Sequence, residues 1–125
     1  MHMDVRGRDP EAPRGERYAV PDATWRALLR VVHDAGYNVP TEWTDRTGAG
    51  LADPDECRRL ADRLEGFLAT HADNLFVWAS DPVRVDQLRK GEDYEGEGPP
   101  PYRVTRDEVH AFIDFLRRSG GFAIH

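Results

Sequence analysis

The segment 104–122 (Val-Thr-Arg-Asp-Glu-Val-His-Ala-Phe-Ile-Asp-Phe-Leu-Arg-Arg-Ser-Gly-Gly-Phe) constrains the fold most, because it carries a start signal, an apolar stripe and a stop signal for one helix. The Thr105 hydroxyl is placed to accept from the backbone N–H three residues on while Glu108 reaches back, a capping box, and Val104 and Val109 occupy the positions of a hydrophobic staple. Val109, Phe112, Ile113 and Leu116 recur at three- and four-residue spacing, so they share a face that must be buried. Arg117 and Arg118 suit the negative helix end. Gly120 and Gly121 can take the left-handed conformation that ends a helix, and Phe122 can fold back on the last turn. The last apolar residues, 122–124, read either as a tail tucked into the domain or as a frayed terminus.

Two further helices are legible. Trp25, Leu28, Leu29 and Val32 mark one, with Asp22 as N-cap after Pro21 and Gly36 as its stop. Asp53-Pro54-Asp55-Glu56 is a strong start: an Asp cap, Pro at the first helical position and acids in the first turn. Cys57, Leu60, Ala61, Leu64, Phe67 and Leu68 then line one side of that helix, and Arg58, Arg59, Asp62, Arg63 and Glu65 the other. The pattern fades over 71–74. The apolar run 75–78, Leu-Phe-Val-Trp, reads as extended or turn-like, and Asp81-Pro82 can start a short helix through Val85 and Leu88 to Gly91. Residues 37–52, with Pro40, Trp43 and the turn at 47–50, read as a connection with a short extended piece at 42–44.

At 125 residues, with 39 % hydrophobic residues, the chain fits one domain with a modest core. The formal charge of −6 disfavours nucleic acid, whose binders carry a basic excess or stripe. Cys57 is the only cysteine, so no intramolecular disulfide forms, and no apolar run approaches the roughly 20 residues that cross a bilayer. Residues 1–17 alternate charges with Gly and Pro, lack the apolar core of a secretory signal and hold little to bury. They are expected to be a disordered tail on a single helical domain at 18–125, with the cytoplasm as default location. Lys90 is the only lysine, and the use of Arg, Ala, Gly and Pro is that of GC-rich coding.

Candidate chemistry is sparse. His110 lies one turn from Asp114 and three residues after Asp107, so the three could share a helix face as a metal or acid-base site, or form the ordinary polar face of an amphipathic helix. A zinc site needs three or four converging ligands, and Cys57 falls on an apolar stripe. Ser80 and Ser119 lack the frame of a nucleophile elbow, and the turn at 47–50 lacks the Lys of a phosphate loop. No catalytic residue, metal ligand or cofactor is assigned.

Aromatic and acidic residues offer another reading. Trp43, on a connection, and Tyr94, between Glu92, Asp93, Glu95 and Glu97, are the residue types that anchor interfaces. The segment 91–101 carries those four acids and three prolines, a mobile acidic loop that is either a solvated linker or a docking element for a basic protein surface.

Trp25-Arg-Ala-Leu-Leu29, Gly36-Tyr37 with Pro40, Asp55-Glu-Cys-Arg-Arg-Leu-Ala61-Asp-Arg-Leu64 and Phe112-Ile-Asp-Phe-Leu-Arg-Arg-Ser-Gly-Gly-Phe122 resemble a group of small uncharacterised proteins of GC-rich, actinobacterial-type bacteria. The resemblance spans about 25–124 and implies an architecture, not an activity. Tyr37 and Leu116 stand where that group often has Trp and Cys.

The sequence therefore predicts a mainly α fold: three to four short helices around one core, with room for a small two-stranded element near Trp43 and Phe76. The leading functional reading is a non-catalytic protein-interaction module of immunity type. It would bind a basic partner through Trp43, Glu92, Asp93, Tyr94, Glu95 and Glu97, without nucleic acid or membrane. The alternatives are a small metal-dependent or acid-base enzyme using His110 with Asp107 and Asp114, and a structural subunit that makes contacts through Trp43 and Trp78.

Overall fold

The two ends of the chain meet in the middle of a β-sheet. In the computed structural model, which describes residues 2–11, 13–44, 48–72, 74–78 and 102–125, strand β1 (His2–Gly7) pairs antiparallel with β2 (Arg17–Pro21), Val5 opposite Tyr18 and Arg6 opposite Arg17. Its other edge pairs with the last strand, β6 (Phe122–Ile124), Val5 opposite Ile124 and Gly7 opposite Phe122. The short β3 (Gly50–Leu51) completes a four-stranded antiparallel sheet of order β2-β1-β6-β3. Side chains alternate as a pleated strand requires. Met3, Val5, Tyr18 and Val20 are buried in one apolar cluster, while Asp4, Arg6, Arg17 and Ala19 take the other face.

Two expectations are corrected here. The segment 1–17 is not a disordered tail where it is described. Besides β1 and the first residue of β2 it supplies backbone donors to the end of the last helix and the turn after it, from Arg8 to the Gly121 carbonyl (2.8 Å), Asp9 to Ser119 (3.0 Å) and Glu11 to Arg118 (2.8 Å). A helix end leaves carbonyls without intrahelical partners, and this segment satisfies those of Arg118 and the cap residue Ser119. The fold is likewise not mainly α but mixed α/β, with the four-stranded sheet and a second, two-stranded one. The strands of two and three residues, β3 and β6, are too short to show a period, and β1 and β2 present only Met3 with Val5 and Tyr18 with Val20 inward.

The second sheet pairs β4 (Leu75–Trp78) with β5 (Tyr102–Thr105), from Leu75 opposite Thr105 to Trp78 opposite Tyr102. Phe76 does belong to a two-stranded element, but opposite Val104. Trp43 lies instead in a 3-10 turn (Thr41–Thr44), which replaces the extended piece expected there. The helix expected from Asp81 and the acidic segment 91–101 lie outside the described residues.

Three α-helices are described. Helix α1 (Asp22–Asp34) buries Trp25, Leu28, Leu29, Val31 and Val32; Pro21 takes the N-cap position, so Asp22 is the first helical residue and not the cap. Helix α2 (Pro54–Thr70) starts as its sequence dictates, with Asp53 Oδ1 accepting from the Asp55 N–H at 2.9 Å. Helix α3 (Arg106–Arg118) has its full capping box: Thr105 Oγ1 accepts from Glu108 N at 3.1 Å, and Glu108 Oε1 accepts from Thr105 N at 2.9 Å. Gly120 and Gly121, at φ of 65° and 100°, turn the chain from α3 into β6, a backbone that L side chains rarely adopt. The helices share one apolar cluster with the inner face of the sheet, and the largest enclosed rings are Trp25, Trp43, Phe112, Phe115 and Phe122. None of the described helices is long and apolar enough to cross a membrane.

Candidate functional site

The end of α1 fixes the first wall of the site. After Gly36 the chain carries Tyr37 across the start of α2, where its half-buried ring stacks on Trp43 with centroids 5.6 Å apart and planes at 27°. Trp43 cannot yield, since it is only 1 % exposed, packs edge-on against Phe122 at 5.3 Å and accepts the Trp25 indole N–H at its carbonyl. This corrects the expectation of Trp43 as a partner-binding residue: its ring is core, and the aromatic that reaches the surface is Tyr37.

The second wall is α2. Glu56, Arg59 and Arg63 recur at three- and four-residue spacing and so line one stripe. With Tyr37 and Leu60 they enclose an open cleft of about 210 Å³. Arg63 Nη1 donates to the Gly36 carbonyl at 3.3 Å, which anchors that guanidinium against the end of α1. Arg59, Glu56 and the Tyr37 hydroxyl have no hydrogen-bond partner among the described residues. Burial, then the charges of Glu56 and Cys57, raise the Tyr37 phenol above its ordinary pKa, so it is a neutral donor.

A second cleft, of about 310 Å³, lies between β2 and α3 and is lined by Arg17, Tyr18, Ala111, Asp114 and Phe115. Its hydroxyl is committed, Tyr18 donating to the Glu108 carbonyl at 3.0 Å. Burial, reinforced by the Glu108 charge, raises the Tyr18 phenol far above its usual range. Cys57 is similarly occupied with packing. Burial pushes its thiol up to about 11, Asp53 and Glu56 add to the shift, and hydrogen bonds with Ser119 and Gly121 only partly offset it. Burial and the raised pKa both disfavour the thiolate, the form that acts as nucleophile or metal ligand.

His110 and Asp107 are exposed on α3, and Asp114 is half-buried in the second cleft, whose lining does not include His110. Among the described residues no three His, Cys, Asp or Glu side chains are grouped to hold a metal ion. Glu92, Asp93, Tyr94, Glu95 and Glu97 lie outside the described residues. Sequence reasoning passed over the α2 cleft because Arg59 and Arg63 read as an ordinary polar face. The available signal was their spacing of four, with Glu56 three residues earlier and an aromatic directly after the Gly36 stop. Compared with known proteins, the chain matches no family model, no curated protein and no solved structure.

Proposed function

We propose that this chain is a non-catalytic protein-interaction module of the cytoplasm that engages a basic partner surface, in the manner of an immunity-type inhibitor. One observation carries the reading: Glu92, Asp93, Glu95 and Glu97, four acids in a chain of net charge −6, surround a single tyrosine, Tyr94. That sequence lies between β4 and β5, whose last pair is Trp78 opposite Tyr102, so both ends of the connection start from one hairpin. A single-sign cluster raises the association rate with an oppositely charged surface, and tyrosine supplies contact area at low entropic cost. The shifted groups Tyr18 and Cys57 suit this reading, since burial keeps both neutral and occupied with packing.

The test is capture of partners from the source cell with the intact chain and with a variant reversed to Lys at Glu92, Asp93, Glu95 and Glu97. A basic protein retained by the first, released by moderate salt and lost with the second supports the reading. Recovery of no partner, or equal retention by both, rejects it.

A further inference from the structure

The geometry points to the α2 cleft as a binding site for the terminal carboxylate of a peptide, with Arg59 and Arg63 taking the carboxylate, Tyr37 donating to it, and Glu56 accepting the N–H of the terminal residue. The argument for this site uses no residue of the acidic sequence at 91–101.

The cleft is assembled from three independent constraints. The first is the aromatic wall, since the Tyr37 ring rests on a tryptophan that is itself locked in the core. The second is the placement of Arg63. Gly36 has φ of +93°, and a Cβ there would lie 3.1 Å from Arg63 Nη1, so glycine both ends α1 and leaves room for the guanidinium to lie against its last turn. The third is unspent hydrogen-bonding capacity: Arg59, Glu56 and the Tyr37 hydroxyl have no partner among the described residues, although all line one cleft.

The order of groups selects the ligand. Along α2 the cleft presents an acceptor, Glu56, then a guanidinium, Arg59, then a second, Arg63, each about one turn apart. Two guanidiniums and a neutral phenol form a donor set for an oxyanion, and arginine matches a carboxylate through paired N–H groups. Glu56 opposes a bare multivalent anion such as phosphate. It favours an anion that carries its own N–H donor nearby, which a peptide C-terminus does through its last amide. Leu60, almost wholly buried, closes the floor, and the half-buried Tyr37 ring supplies the apolar surface for a small side chain.

The test is titration of the intact, isotope-labelled chain with N-acetylalanine, N-acetylalaninamide and inorganic phosphate, read by amide NMR. N-acetylalanine is expected to give saturable shifts centred on Gly36, Tyr37, Arg59 and Arg63, and the uncharged amide none at the same concentration. Arg59→Gln, at an exposed position, should weaken that binding about tenfold or more, as loss of a charge-assisted hydrogen bond does, with the rest of the spectrum unchanged. Glu56→Gln should strengthen phosphate and so narrow the preference for N-acetylalanine. The assignment is overturned by absence of saturable shifts, by equal binding of acid and amide, by phosphate binding more tightly than N-acetylalanine, or by an Arg59→Gln variant that binds as the parent does.

Discussion

The Trp25 indole Nε1 donates to the Trp43 backbone carbonyl at 2.7 Å inside the core. This bond ties α1 to the 3-10 turn, and through Trp43 it sets both the ring under Tyr37 and the contact with Phe122 of β6. Trp25→Phe keeps an aromatic against Phe112 but strands the carbonyl. An unsatisfied buried acceptor costs about 1–3 kcal/mol, so urea denaturation should show a lower midpoint with little change in slope, and the Tyr37 amide should shift although it lies outside the substituted helix.

Thr105 serves two elements at once, as the last residue of β5 and as the cap of α3. Thr105→Ala removes the acceptor for the Glu108 N–H and should cost about 0.5–2 kcal/mol. Because Thr105 also pairs with Leu75, hydrogen exchange is expected to quicken in β4 as well as in the first turn of α3. Faster exchange confined to the helix would show that the strand and the cap are not coupled.

The parts of the fold that were legible in sequence are those whose signals are local. Asp53-Pro54 and Thr105 with Glu108 carry their start signals within four residues, and both helices begin where those residues place them. The sheet was illegible because its information is non-local. Met3-Asp4-Val5-Arg6 alternates for only four residues, and its meaning depends on Phe122–Ile124 at the other end of the chain. Trp43 illustrates the same limit: a tryptophan on a connection is compatible with exposure until the turn places it under Tyr37 and beside Phe122. The α2 cleft was half-visible, its arginines being periodic but its second wall, Tyr37, arriving only through tertiary packing.

The central place of β1 yields a paired prediction. Val5 is fully buried and Arg6, its neighbour in sequence, points to the opposite face. Val5→Asp puts an unpaired charge in the core, costing several kcal/mol, and is expected to abolish the cooperative unfolding transition. Arg6→Gln should change stability by under about 1 kcal/mol, as exposed ion pairs do. Similar, small effects at both positions, measured by thermal melts, would mean that the first residues are not part of the sheet.

Alkaline stability should reveal the buried thiol. Burial raises Cys57 from 9.0 to about 11, so above pH 9 the unfolded chain releases this proton while the folded chain retains it. Stability then falls as pH rises from about 9 to about 11, by on the order of 2 kcal/mol for this group, and the raised Tyr18 phenol extends the decline. Cys57→Ala should flatten the part of the decline below pH 11. In the native protein at pH 7, a thiol reagent should label Cys57 only at the rate of unfolding.

The outer face of the sheet makes the opposite prediction at low pH. Arg6 and Arg17 stand directly opposite each other on β1 and β2, an unfavourable like-charge pair, and Asp4 bridges them. Its Oδ1 accepts from Arg17 Nε at 2.7 Å, and its Oδ2 from Arg6 Nη2 at 3.0 Å. Burial alone would raise the Asp4 carboxyl, but the hydrogen bonds and charges of Arg17 and then Arg6 outweigh it and hold it below its ordinary pKa of 3.8. A depressed carboxylate pKa stabilises the fold above the unfolded value, and that contribution is lost as pH falls through the folded one. Both arginines are more than half exposed, so screening limits the contribution to under about 1 kcal/mol. Asp4→Asn should therefore destabilise the protein slightly at pH 7, more so at low salt, and the gap to the parent should close as pH falls below the ordinary carboxylate range and through the depressed folded value. If the gap persists in acid, the destabilisation comes from altered packing of β1 and not from the charge that Asp4 places between two arginines.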